Sequence, residues 1–214
     1  MKNLNLSGKC LFLILIIAFA VNLNFAQDDN FIKGTEKPLY TESKDSNDCL
    51  VFEKFVVKNE VLKEGKNDFN KIQAFTRNAA LSPKENCQDS GNSIFSYTRK
   101  EEINSVENSL LGNWLFVNLS ITPDSEILLI FDLISKKKIF EKEHTEWGKG
   151  MQISKGKYLL YDEWTKQKGL AKNCPNAKKW KKEGLGVDWL KPFRLDLQTM
   201  KATPFGELQC VSTY

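Results

Sequence analysis

The sequence predicts a mainly β fold made of antiparallel meander sheets, with at most one short helix. Three observations predict it. The stretch 112–143 holds three apolar runs: Trp114-Leu115-Phe116-Val117, Ile127-Leu128-Leu129-Ile130-Phe131 and Ile139-Phe140. Turn-prone residues separate them, Thr122-Pro123-Asp124-Ser125 and Ser135-Lys136-Lys137-Lys138, and short apolar runs between turn signals read as strands. The middle run is apolar on both faces and too short for an ordinary helix, which places it at the centre of a sheet. Finally, Phe193-Arg194-Leu195-Asp196-Leu197 alternates strictly, the pattern of a strand with one buried and one wet face.

Taken in order, the chain opens on a targeting segment. Lys2 and Lys9 precede an apolar stretch, 11–21, too short to span a bilayer comfortably. Asn24-Phe25-Ala26-Gln27 offers a cleavage site with small Ala26 before the cut, so 1–26 reads as a signal peptide. No second apolar stretch is long enough to cross a membrane. The polar stretch 27–48 reads as a poorly ordered lead-in, tacked down at most by Tyr40. The remainder, 49–214, has the size of a single β-rich domain.

Within it, Cys49-Leu50-Val51-Phe52 and Phe55-Val56-Val57 read as one strand or a bent strand, continued by Val61-Leu62. In 68–81, Phe69, Ile72, Phe75 and Ala79 recur at nearly helical spacing. Asn67 or Asp68 could cap that helix and Pro83 close it; the alternative is a strand around Ile72 to Phe75. Cys87 to Asn92 reads as a loop, and Ile94-Phe95-Ser96-Tyr97-Thr98 as a strand. The polar stretch 100–109 leads into the meander. Lys157-Tyr158-Leu159-Leu160-Tyr161 is a strand entered through the tight turn Ser154-Lys155-Gly156. A basic insertion at 166–191 shows no clean period.

Two stretches echo each other. Phe131-Asp132-Leu133-Ile134-Ser135 precedes Lys137 and Phe140, and Leu195-Asp196-Leu197-Gln198-Thr199 precedes Lys201 and Phe205. Each is an apolar strand, an Asp-Leu step, a Ser/Thr turn with a lysine, and a return strand. This resembles blades of a WD40-like or TolB-type β-propeller over 112–205. The resemblance implies local strand order within blade-like hairpins. A closed propeller needs at least four such blades and only two echo here, so a sandwich, a barrel, an open sheet and a partial propeller all remain.

Four cysteines follow the leader: Cys49, Cys87, Cys174 and Cys210. An even number in an exported chain indicates two disulfides. Pairing Cys49 with Cys87 and Cys174 with Cys210 needs the shorter loop closures. None sits in a CxxC, and with one histidine the sequence offers no metal site and implies no cofactor. His144 lies in a polar stretch and reads as a solvated residue at a strand end rather than a general base oriented by Glu143 or Glu146. No phosphate-cradling glycine loop or nucleophile elbow is present. The sequon Asn118-Leu119-Ser120 matters only in a host that glycosylates.

Charge is unevenly spread. The chain is formally +4, and without Lys2 and Lys9 the mature part is +2. The insertion 166–191 carries eight lysines against Glu183 and Asp188, a balance of +6, so the rest sums to −4. Lys178, Lys179, Lys181 and Lys182, with Trp180 and Trp189 as stacking rings, form the candidate binding residues. Trp114 reads as core, and Trp147 and Trp164 as half-buried rings. The reading is a non-enzymatic binding or interaction protein of the cell envelope or exterior. Its partner would be an anionic polymer, a glycolipid or another envelope protein, and nothing points specifically to nucleic acid. The alternative is a hydrolase of an envelope or extracellular polymer using the strand-end carboxylates Asp162 and Glu163.

Overall fold

A computed structural model of the chain describes residues 31–213 except 46, 65–66, 90, 100–102, 123–124, 146–147 and 170–173. The leader 1–26, Trp147 and Lys172 lie outside the described residues. In chain order the elements are β1 (Ile32–Lys33), β2 (Tyr40–Lys44), β3 (Asn47–Val51), β4 (Phe55–Glu64), β5 (Asn67–Thr76), α1 (Pro83–Gln88), β6 (Phe95–Arg99), β7 (Ser105–Leu111) and β8 (Trp114–Thr122). There follow β9 (Ser125–Asp132), β10 (Lys137–His144), β11 (Met151–Ser154), β12 (Tyr158–Thr165), α2 (Ala177–Lys182), β13 (Gly186–Asp196), β14 (Lys201–Pro204) and β15 (Gln209–Thr213). The mainly β class is as expected, with two short helices among the described residues in place of one.

The strands form three sheets. The first has the order β2-β3-β4-β5-β6, the second β10-β9-β8-β7, and the third β1-β11-β12-β13-β14, with β15 also on β13. All pairs are antiparallel except β1 with β11. The second sheet is the middle layer. Alternate side chains of a strand face opposite ways. Leu115, Val117, Leu119, Leu129 and Phe131 therefore pack with Val57, Ile72, Ala74 and Phe95 of the first sheet. Phe116, Leu128 and Ile130 pack the other way, with Met151, Leu159, Tyr161 and Leu195 of the third. The run Ile127 to Phe131 is apolar throughout because it is covered on both sides.

The sequence echo corresponds to one hairpin geometry used twice. Asp132 accepts the backbone N–H groups of Ile134 and Ser135, at 3.0 and 3.4 Å. Asp196 accepts those of Gln198 and Thr199, at 2.9 and 3.0 Å. Both carboxyls are held below the usual range, Asp132 chiefly by a hydrogen bond from the Ser135 side chain with the backbone bonds adding to it, and Asp196 chiefly by the Thr199 backbone bond. Each loop then uses a left-handed residue, Lys136 (φ 59°) or Met200 (φ 53°), and closes on a paired lysine, Asp132 opposite Lys137 and Asp196 opposite Lys201. A further bond recurs in all three sheets. Arg77 N–H donates to Lys54 O at 2.9 Å, Leu133 N–H to Asn113 O at 2.9 Å, and Leu197 N–H to Lys157 O at 3.0 Å.

Several expectations are corrected. The stretch 68–81 is not a helix: β5 spans most of it, and its 3–4 spacing arises because both faces of that strand carry apolar groups. Ile72 and Ala74 face the middle sheet, while Phe75 faces a cluster of Cys49, Val51 and Val56 on the outer side. Pro83 opens a helix instead of closing one. Ser82 Oγ accepts Glu85 N–H at 3.3 Å and the Glu85 carboxylate accepts Ser82 N–H at 2.8 Å, a capping box with proline in the first turn. Cys49 to Val57 is two strands, because the chain reverses at Phe52-Glu53-Lys54, where Phe52 N–H donates to Phe55 O at 2.8 Å.

The polar stretch before the meander contains β7, the edge strand of the middle sheet. Nor are residues 31–45 a loose lead-in. Ile32 is fully buried beside Met151. Glu36 N–H donates to Leu110 O at 2.7 Å and the Glu36 carboxylate accepts Gly112 N–H at 2.6 Å. Tyr40 pairs with Val51. The segment thus touches all three sheets in turn, using backbone groups that their edges would otherwise leave open.

Candidate functional site

Both expected disulfides form, Cys49–Cys87 and Cys174–Cys210, with Cα separations of 5.9 and 5.4 Å. The first ties α1 over the outer face of the first sheet. The second ties the basic segment to β15. Ala177 N–H donates to Cys174 O at 3.2 Å, so α2 begins within a turn of the bridge. At its other end, Leu185 N–H donates to Trp180 O at 2.9 Å, and β13 starts at Gly186. From Cys174 onward the insertion is therefore a clamped helix followed by a strand.

At about 100° per residue, Lys178, Lys179, Lys181 and Lys182 fan over one side of α2, and all four are exposed. Trp180 lies on the opposite side and is half-buried, where α2 packs on β13. The Lys179–Glu183 pair, at 3.9 Å, is well exposed and contributes little. Trp189 sits on β13 opposite Cys210. Its ring lies so close to Gly169 that a Cβ there would come within 2.3 Å of it. The four lysines thus come together, while the two tryptophans are taken up by packing. The spacing of 178–182 held the signal for this separation, once the segment is known to be helical.

Cys210 also lines a cleft of about 540 Å³ built on the third sheet, around β12 and β13. Its floor includes Gln152, Leu160 and Asp162, and its far wall is the chain from Phe205 to Gln209. Asp162 is only 5% exposed and its Oδ2 accepts Lys149 N–H at 3.3 Å. Burial raises its pKa, partly offset by that bond and by the Lys149 charge. Gly148 lies hard against the carboxylate, with room for no Cβ.

Glu163, the next residue of β12, projects from the opposite face and pairs with Lys142 at 3.3 Å. It also lies near the Tyr161 hydroxyl, whose pKa is raised by burial and then by the Glu163 charge. Neither acid is at a strand end, and two carboxylates on opposite faces of one strand cannot flank one scissile bond. The arrangement expected of a two-acid hydrolase is therefore not built from this pair.

His144 is corrected as well. It is 1% exposed, not solvated. Its Nε2 lies 2.8 Å from Asn118 Oδ1 and 3.6 Å from Glu126 Oε2. Asn118 Nδ2 donates to Glu107 and Glu126, each at 3.3 Å, so Asn118 Oδ1 must accept from His144 Nε2–H. Burial lowers the ring pKa to about 4, with a hydrogen bond at the Thr145 backbone acting the other way. Asn118 is itself 2% exposed, which closes the sequon in the folded protein. Among the described residues no group of three or more His, Cys, Asp or Glu side chains is placed to hold a metal ion. No helix among them is long and apolar enough to cross a membrane. No family model, curated protein or solved structure matches the chain.

Proposed function

We propose that the protein is an exported, non-enzymatic binding protein that holds an anionic polymer on the lysine face of α2. The observation that carries this reading is the exposed lysine quartet on a helix fixed at both ends, which lowers the ordering cost of binding. The charge imbalance supports it, since +6 lies in 166–191 and −4 elsewhere in the mature chain. Two disulfides are typical of chains that fold in an oxidising compartment, and with the leader they support export. The repeated hairpin geometry supports reading the three meanders as blades of a partial propeller.

Each lysine that displaces a counterion steepens the salt dependence of binding. Changing Lys178, Lys179, Lys181 and Lys182 together to Ser is expected to weaken binding to heparin and to flatten the slope of log K against log salt, by roughly 0.7–0.9 for each ion-paired lysine removed. The melting temperature should barely move, because all four side chains are exposed. Trp180→Ala should instead lower the melting temperature and leave the slope alone. If the wild-type protein passes through a heparin column at low salt, the lysine face is only a solvated surface. Export has its own check: the intact mass of the secreted protein should correspond to a chain beginning near Gln27, and a mass retaining 1–26 would refute cleavage.

A further inference from the structure

We infer that the cleft beside α2 is a sugar-binding subsite, so that the anionic polymer is a glycan: the lysines meet its sulfates or carboxylates and the cleft takes one of its rings. This rests on the polyanion reading above and names the partner's class. At about 540 Å³ the cleft is the size of a small-ligand site, roughly 300–1,000 Å³. Its chemistry alternates as a sugar's does, with hydroxyls around the rim and C–H groups on the faces. Gln152 and Gln209 offer both donors and acceptors, and Asp162 offers acceptors alone. No cationic side chain among the described residues forms an ion pair with Asp162, and its Oδ2 holds only the Lys149 N–H. Acceptor capacity is therefore left for hydroxyl donors.

Phe205 supplies the apolar surface. It lines the cleft and is 45% exposed, so its ring offers apolar surface to a ligand. The Arg194 guanidinium lies 5.5 Å from its ring centroid and 4.8 Å from that of Tyr158, which steadies the ring from outside the cleft. Asp162, in the lining beside Lys149, adds negative charge that disfavours a bare polyanion but accepts from a hydroxylated one. The cleft therefore separates glycans from other polymers of the same charge. The two parts are close enough for one short chain. Cys210 in the cleft wall is bonded to Cys174, and the six residues of α2 extend only about 9 Å beyond.

The test is calorimetric titration of the mature protein with a heparin hexasaccharide and with polyphosphate of matched charge, at one salt concentration. The wild type is expected to bind the hexasaccharide at least about tenfold more tightly, the worth of one charge-assisted hydrogen bond or one stacked ring. Asp162→Asn keeps an acceptor for Lys149 N–H. It should weaken the hexasaccharide and strengthen polyphosphate, closing the margin from both sides. Phe205→Ser, at an exposed ring, should lower hexasaccharide affinity alone, and it keeps the test available if Asp162→Asn does not fold. Equal affinities in the wild type, or a margin that survives a folded variant, overturns the glycan assignment while the polyanion reading stands. Failure to bind either polymer overturns both.

Discussion

Leu115→Ala and Phe116→Ala are each expected to destabilise the protein strongly, by about 2–5 and 3–5 kcal/mol respectively. They are adjacent on β8 and both fully buried. In a sheet with one wet face, one of two neighbours must be exposed, and its truncation would then cost within about 0.5 kcal/mol. Here Leu115 packs toward the first sheet and Phe116 toward the third. The two cavities would lie in different layers, so the double variant should lose about the sum of the two effects, less any coupling through the backbone the neighbours share. Because that sum is comparable to the whole stability of a typical domain, the double variant should be unfolded or nearly so at 25 °C. Urea unfolding measures all three. A near-neutral result for either single change would mean that the middle sheet is covered on one side only.

The two-sided burial was legible because Ile127 to Phe131 has no polar residue to turn outward. The same property hid β5. A strand covered on both faces loses its period of two, and with Phe69, Ile72 and Phe75 a 3.6-residue period fitted equally well. The Ser82-Pro83-Lys84-Glu85 signal was present in the sequence, but a helix pattern upstream made Pro83 look like a stop. The strand β7 was obscure for a different reason. Asn108 and Ser109 are buried within it, and Asn108 Nδ2 donates to Asn59 Oδ1 at 2.8 Å, a partner on another sheet. Burial of a polar side chain is decided by such distant partners, which local pattern does not reveal.

The site was half legible for similar reasons. The disulfides followed from loop closure and the lysine quartet from charge alone. The direction in which Trp180 faces needed the helix. The cleft needed more, because Asp162 and Phe205 meet only after β12, β13 and β14 are paired. The distinction between Asp162 and Glu163 was available from the strand period alone, since adjacent strand residues face opposite ways.

His144 is expected to make stability fall as the solution is acidified from pH 6.5 toward 4. Its ring has an ordinary pKa of 6.5 and about 4 in the folded protein. A group whose folded pKa is depressed stabilises fully above its unfolded value and loses that contribution as pH falls through the folded one. At about 1.4 kcal/mol for each tenfold change in protonation ratio, the loss is roughly 3 kcal/mol. The groups around the ring set the sign. Glu126 Oε2 at 3.6 Å favours a charged ring, but the side chain is wholly buried, and Nε2 already donates to Asn118 in the neutral state, so burial dominates. Lys142 and Glu163, also between the second and third sheets, are paired with each other. Asp162 works oppositely: its raised pKa stabilises below the unfolded value of 3.8 and fades as pH rises through the folded one, so it offsets part of the loss at the acid end. Asp132 and Asp196, both lowered, stabilise above 3.8 and lose that contribution below it, outside the histidine window. Urea midpoints at pH 7 and pH 4.5 should therefore differ in the wild type, and His144→Gln should remove most of the difference while costing stability at pH 7. A wild-type midpoint unchanged across this range would mean that the ring is charged in the folded protein, held so by Glu126.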